Sequence, residues 1–214
     1  MLLQTAILLT LDKLQRESFI HVMTTNKSFL FLYPQEEIFA YELRNKDESF
    51  VRKYQSMLNE CIDRRYRQKG FSITYALLDD CCVWEGIVVR ETDAIIKVGM
   101  DAHTHHTAIN GKFPYPDEEQ IISQLGKIEL LRVGGFHTYD CCSRVARRAY
   151  EKGMDVLVDE DLTQFFPLVF EHSHFKIDDY PLVNPRDEII RQHLWELFLA
   201  NRRNKPWFIQ NFDW

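Results

Sequence analysis

The chain has 214 residues, 45% hydrophobic and 27% charged, a balance typical of a globular protein. At this length one α/β domain, or two small ones, can bury a core without disulfides or metals. The formal net charge is −6 at pH 7. A short basic cluster, which we interpret as the solvated last turn of a helix, consists of Arg64, Arg65, Arg67 and Lys69. A nucleic-acid partner is not expected, because phosphate binding needs a basic surface.

The cysteines and the N-terminus indicate the compartment. Four of the five cysteines form adjacent pairs and none forms a C-x-x-C motif, which is typical of reduced thiols in a cytosolic protein. The apolar run at the N-terminus has no basic region and ends at Asp12, so it is too short to span a membrane. We therefore expect a cytoplasmic protein without membrane contact.

The first half of the chain predicts a strand, an ambiguous region and a helix. Leu2–Leu11 has the apolar pattern of a parallel strand buried on both faces, with Asp12 at its carboxyl end. Residues 20–45 leave two alternatives open, since Ile20–Met23 and Phe29–Tyr33 fit either short strands or lid segments. A helix is predicted from Asp47 to about Lys69, with Gly70 as its stop.

Strands and helices then alternate to the C-terminus. The predicted elements are strands at Ser72–Leu78 and Ala94–Val98, a helix from Asp117 to Leu125, a strand at Ile128–Val133 broken by Gly134 and Gly135, a helix at Cys141–Lys152, a strand from Val156 to Val158, a short helix after Asp161, Leu162 and Thr163, and a helix at about Pro185–Asn201. This alternation predicts a single domain, residues 1–214, built as a three-layer α/β sandwich with a mainly parallel, doubly wound sheet.

Ligands of such sheets bind at the carboxyl ends of the strands. Asp12, Lys97 and Cys141 lie at three predicted strand ends, and a carboxylate, an ammonium and a thiol together suit acyl-transfer chemistry. A helix N-terminus would favour the thiolate of Cys141. Each residue also has a structural alternative: Asp12 fits a helix cap, Lys97 a solvated charge and Cys141 a small buried side chain.

The residues around Cys141 resemble a known family. The stretch Leu131–Gly153 reads LRVGGFHTYDCCSRVARRAYEKG. Its glycine, threonine, cysteine and alanine spacing is similar to the motif of the isochorismatase-like cysteine hydrolases, which include nicotinamidases; the matching positions are Gly135, Thr138, Cys141, Ala146, Ala149 and Gly153. Thr5–Asp12 and Asp93–Lys97 resemble the segments that carry the family's catalytic Asp and Lys.

The resemblance implies a cofactor-free hydrolase that cleaves the C–N bond of a small amide through a covalent acyl-enzyme. In that interpretation Cys141 is the nucleophile, Asp12 the base and Lys97 the residue that tunes both. The backbone N–H groups of His137 and Cys141 form the oxyanion hole, and the Phe136–His137 peptide bond is cis. Substrate contacts are assigned to Phe136, His137 and His103.

The sequence departs from the family pattern in two places near the site. Family members usually carry Gln two residues after the catalytic Asp, whereas Gln15 lies three after Asp12. The residue after the nucleophile is usually Val and here is Cys142, which we interpret as a buried apolar substitute, with a resolving thiol as the alternative.

No metal is expected. Nicotinamidases bind metal through histidines that precede the Lys, and residues 34–60 contain no His. The cluster of His103, His105 and His106 has irregular spacing and fits a polar rim better than a zinc site.

Two other functions stay open. The chain could be a catalytically silent relative that binds a small molecule or a partner protein, or an isochorismatase-type ether hydrolase. The aromatic tail at about residues 203–214 should pack on its own chain or on a symmetry mate, so a homo-oligomer is expected; its aromatic residues are Trp207, Phe208, Phe212 and Trp214.

Overall fold

The structure is a computed structural model that describes residues 26–171, 175–178 and 195–210. Several predictions lie outside the described residues: the strand Leu2–Leu11, Asp12, the strand or lid segment Ile20–Met23, the first part of the last predicted helix, and Phe212 and Trp214.

The described elements alternate between strands and helices. In chain order they are β1 (Lys27–Leu32), α1 (Glu36–Leu43), α2 (Glu48–Arg65), β2 (Ser72–Leu77), β3 (Ala94–Lys97), α3 (Ala102–His106), α4 (Glu118–Ser123), β4 (Leu130–Gly135), α5 (Ser143–Glu151), β5 (Asp155–Thr163), α6 (Phe166–Val169) and α7 (Trp195–Arg202). A 3₁₀ turn, Arg67–Lys69, follows α2, and a π-helical turn, Thr138–Cys142, leads into α5.

The strands form one five-stranded sheet in the order β3-β2-β1-β4-β5, and every pair is parallel. One hydrophobic core lies between the sheet and α1, α2 and α6, and a second lies between the other face and α4 and α5. The predicted three-layer α/β sandwich with a parallel, doubly wound sheet is therefore confirmed.

Local sequence signals explain where α2 begins and ends. The Asp47 carboxylate accepts a hydrogen bond from the Phe50 backbone N–H at 2.8 Å, which satisfies one of the free donors of the first turn. Gly70 has a φ of 77°, a conformation that costs glycine little. The helix predicted from Asp47 to Lys69 is confirmed, and its last turn is the 3₁₀ turn Arg67–Lys69.

The strand alternative for Phe29–Tyr33 is confirmed, because Phe29 to Leu32 lie in the central strand β1 and Tyr33 follows it directly. The bounds of two other predicted elements need correction. Gly134 and Gly135, predicted to break the strand after Val133, are instead the last two residues of β4. The backbone of β1 passes so closely that a Cβ on Gly135 would lie 2.1 Å from the Leu32 carbonyl oxygen. Residues Asp161 to Thr163, predicted to lead into a helix, extend β5.

The interpretation of the basic cluster as solvated is wrong for Arg65. Its side chain is fully buried and forms ion pairs with Asp159 at 3.1 Å and Asp161 at 3.0 Å, both on β5. Arg65 also donates to the backbone carbonyls of Lys176 and Ile177. A buried charge of this kind needs such partners.

The aromatic tail packs on its own chain where it is described. Trp207 and Phe208 are buried in the second core. This agrees with the predicted alternative in which the tail packs on its own chain. The oligomeric state stays a prediction. No helix in the described ranges is long and apolar enough to cross a membrane.

Candidate functional site

Cys141 lies in the π-helical turn Thr138–Cys142, which we call the cysteine turn. It follows β4 at the carboxyl end of the sheet and leads into α5. The peptide bond between Phe136 and His137 is cis, as the resemblance implies. The Cys141 side chain is 5% exposed.

The thiol of Cys141 is held in its protonated form. Burial, followed by the negative charge of Asp140, raises the pKa of Cys141 to about 12. The backbone N–H of His137, the charge of Arg144 and the hydroxyl of Tyr33 act in the opposite direction, and burial outweighs them. The thiolate is therefore scarce at neutral pH.

Tyr33 directly follows β1 and lies beside Cys141. Its side chain is 3% exposed and its hydroxyl is within hydrogen-bonding reach of the thiol. Burial and the neighbouring thiols raise the pKa of Tyr33 well above its usual value. The phenol keeps its proton at neutral pH, so it can donate a hydrogen bond to sulfur but cannot accept the thiol proton.

Lys97 ends β3, and its ammonium is engaged elsewhere. The Nζ donates to the backbone carbonyl of Cys81 at 2.5 Å and lies 3.3 Å from that of Leu78. Its positive charge acts on the thiol of Cys81, whose pKa it lowers against the larger effect of burial. In the sheet, β2 and β1 lie between β3 and β4.

Polar and aromatic side chains surround the Cys141 end of the sheet. The ring centroids of Tyr33 and His105 are 5.7 Å apart, and those of His105 and Tyr115 are 6.0 Å apart. The Tyr115 hydroxyl donates to an Asp140 carboxylate oxygen at 2.8 Å. We call Tyr33, His105, Tyr115 and Asp140 the rim. Burial lowers the pKa of His105, so its imidazole is mostly neutral at pH 7.

The predicted substrate contacts differ in their surroundings. Phe136 is buried, and its ring packs edge-on against Phe31 and Phe39 in the first core, at centroid distances of 6.2 Å and 5.2 Å. His137 and His103 are exposed. Their roles in binding stay predictions.

The chain was compared with known families, curated proteins and solved structures. No family model and no curated protein matches it. Among solved structures it is similar to an isochorismatase family protein, with 18% identity, 88% of this chain and 100% of that chain covered, and a TM-score of 0.45. It is also similar to the pyrazinamidase of Pyrococcus horikoshii in complex with zinc, with 15% identity, 67% and 93% coverage, and a TM-score of 0.43.

The chain is similar to isochorismatase-like proteins. A further match is a candidate MAR1 ribonuclease from Leishmania major, with 12% identity, 64% of this chain covered and a TM-score of 0.42. The match spans 65% of that protein's length. At these identities the likeness concerns the fold, and activity must be argued from this chain's own residues.

Sequence reasoning missed Tyr33, which directly follows β1 and lies beside Cys141. Gln35 follows two residues later and is buried. Asp12 lies outside the described residues. The signal available in the sequence was the apolar run Phe29–Tyr33, followed closely by a polar Gln35.

In the part of the chain that the structure describes, no group of three or more His, Cys, Asp or Glu residues is arranged to hold a metal ion. His105 instead contacts the Pro114 carbonyl through Nδ1 at 3.0 Å.

Proposed function

We propose that this chain is a catalytically silent isochorismatase-like protein that binds a small molecule beside Cys141. One observation carries the proposal: Tyr33 lies against the thiol at the end of the strand adjacent to β4. The resemblance implies a carboxylate beside the cysteine and assigns it to Asp12, which lies outside the described residues.

Acyl transfer by a thiol needs a proton acceptor and a thiolate. The Tyr33 phenol is protonated at neutral pH, so it cannot take the proton. Burial raises the pKa of the Cys141 thiol to about 12, so the thiolate is scarce at pH 7. The surroundings of Cys141 therefore disfavour both the proton acceptor and the thiolate that acyl transfer needs.

The rim supports binding in place of hydrolysis. His105, Tyr115 and Asp140 are half-buried, and His137 is exposed next to them. A small polar molecule at this edge of the sheet meets imidazole, phenol and carboxylate groups, which can both donate and accept hydrogen bonds.

A second candidate is hydrolysis of a small amide through an acyl-enzyme on Cys141, and one observation favours it. The backbone N–H of His137 acts on the Cys141 thiol and lowers its pKa, so a backbone donor of the kind that an oxyanion hole uses lies next to the sulfur. This candidate keeps Asp12 as the base and Lys97 as the tuning residue.

Ammonia release from a panel of small aliphatic and aromatic amides separates the two functions. We expect the wild-type chain and Cys141→Ala to release ammonia at the same background rate, while thermal-shift assays with the same panel find ligands that stabilise both. Cys82→Ala serves as the control, because Cys82 is exposed. Turnover by the wild type and Cys82→Ala that is lost in Cys141→Ala contradicts the silent protein and establishes the hydrolase.

A further inference from the structure

Glu160 links the cysteine turn to the C-terminal segment, residues 195–210. It lies on β5 and is buried. Its Oε1 accepts hydrogen bonds from the Tyr139 hydroxyl at 2.8 Å and from Arg202 Nε at 2.9 Å, and its Oε2 lies 2.6 Å from Arg202 NH2. Tyr139 belongs to the cysteine turn and Arg202 ends α7. One carboxylate therefore bonds to both.

The same segment contacts the cysteine turn again beyond α7. The Trp207 indole N–H donates to the Ser143 hydroxyl at 3.0 Å, directly after the turn. The rings of Phe208 and Tyr139 pack edge to face with centroids 5.3 Å apart. The Val158 N–H donates to the Trp207 carbonyl at 2.9 Å, which anchors the segment on β5.

These contacts are buried and directional, so they constrain the turn. Trp207, Phe208 and Arg202 are all buried against it or against Glu160. Charge-assisted hydrogen bonds out of water are stronger than exposed ones, and breaking one partner leaves a buried charge. On its other side the turn is bound by Gln164, whose Oε1 accepts from the Thr138 N–H and hydroxyl, both at 2.9 Å.

We propose that residues 195–210 are a clasp that holds the cysteine turn, and Cys141 within it, against the rest of the molecule, so that release of the clasp exposes this thiol while the rest of the domain stays folded. The contacts come from one segment at the end of the chain and converge on residues 139 to 143. The clasp controls access to Cys141 whether the site binds or hydrolyses its ligand.

The competing explanation is that the segment only completes the second core, so that its release unfolds the whole domain. Two other cysteines of the chain distinguish local release of the clasp from unfolding of the whole domain. Cys61 is buried in the first core on the opposite face of the sheet, and Cys82 is exposed. Cys61 therefore reports global unfolding, and Cys82 reports the intrinsic reactivity of the reagent.

Thiol alkylation, followed by peptide mass spectrometry under native conditions, tests the clasp. We compare Glu160→Gln, which weakens the pairing with Arg202, and Trp207→Phe, which removes the donor to Ser143, with the exposed control Arg203→Ala. Either variant of the clasp should label Cys141 at least about fivefold faster relative to Cys82, the effect of about 1 kcal/mol, with Cys61 unchanged. The control should match the wild type.

The wild-type chain provides a second test that does not depend on the variants folding. In increasing sub-denaturing urea, Cys141 should become reactive at a lower concentration than Cys61. Unchanged Cys141 reactivity in the clasp variants, or labelling of Cys141 and Cys61 that rises together in variants or in urea, overturns the proposal. Failure of the proposed function shows separately, as Cys141-dependent ammonia release.

Discussion

At the scale of single residues, Tyr33 determines the chemistry available to Cys141. Its φ of 54° is unusual for a bulky side chain, and such backbone strain is found where the surrounding structure requires one orientation. Here that orientation brings the hydroxyl to the thiol. A hydroxyl at this place lowers the pKa of the thiol, although the opposing effect of burial is larger.

Replacing Tyr33 with Phe should therefore make Cys141 less reactive. Loss of one hydrogen bond, worth about 1 kcal/mol, should raise the pKa of the thiol further and slow its alkylation at pH 8 roughly fivefold. Tyr75→Phe is the matched control, since Tyr75 is also buried but its hydroxyl accepts from Arg67 at 3.0 Å. Faster labelling of Cys141 in Tyr33→Phe would show that the hydroxyl shields the sulfur and does not activate it.

At the scale of elements, β5 ties helices to both faces of the sheet through buried acidic side chains. Asp159 and Asp161 pair with Arg65 of α2, and Glu160 pairs with Arg202 of α7. The sequence VLVDEDL indicates a short strand followed by a helix start, because acidic residues normally stay in water. The longer strand is possible because Arg65 and Arg202, on helices distant in sequence, pair with these acidic residues. The local sequence pattern around β5 cannot predict such long-range pairs.

Arg65→Met should be strongly destabilising for that reason. Removing the arginine leaves the Asp159 and Asp161 carboxylates buried without their cation, a change that typically costs about 3–5 kcal/mol. Urea unfolding followed by circular dichroism measures the loss. Arg52→Met on the same helix is the control, because Arg52 pairs with Glu48 in solvent and should matter little. A similar small effect for both variants would mean that the buried network adds no stability.

At the scale of the whole molecule, the architecture was predictable and the strand that completes the site was not. Alternating apolar strands and amphipathic helices determine a doubly wound sheet from local pattern. Leu2–Leu11 and Phe29–Tyr33 are both apolar runs of strand length, and local pattern cannot decide which one pairs with β4. That pairing is non-local, and it is what places Tyr33 beside Cys141.

The place of Cys141 directly after β4 was predicted more accurately because its signal is a fixed spacing, although the helix predicted from Cys141 begins at Ser143. Gly135, Thr138 and Cys141 match the motif, and the close approach of Gly135 to Leu32 explains why glycine is required there. Lys97 ends its predicted strand, but its contacts with the Leu78 and Cys81 carbonyls depend on the loop after β2, which carries no motif.

The pH dependence of alkylation, measured for every cysteine in one experiment, tests the central claim most directly. Between about pH 6 and pH 10 the rate at Cys141 should rise about tenfold per pH unit without a plateau, since its pKa is about 12, and it should stay below the rate at the exposed Cys82. A Cys141 that reacts faster than Cys82 at pH 7, with a rate already level near neutrality, would be an activated nucleophile and would contradict the account.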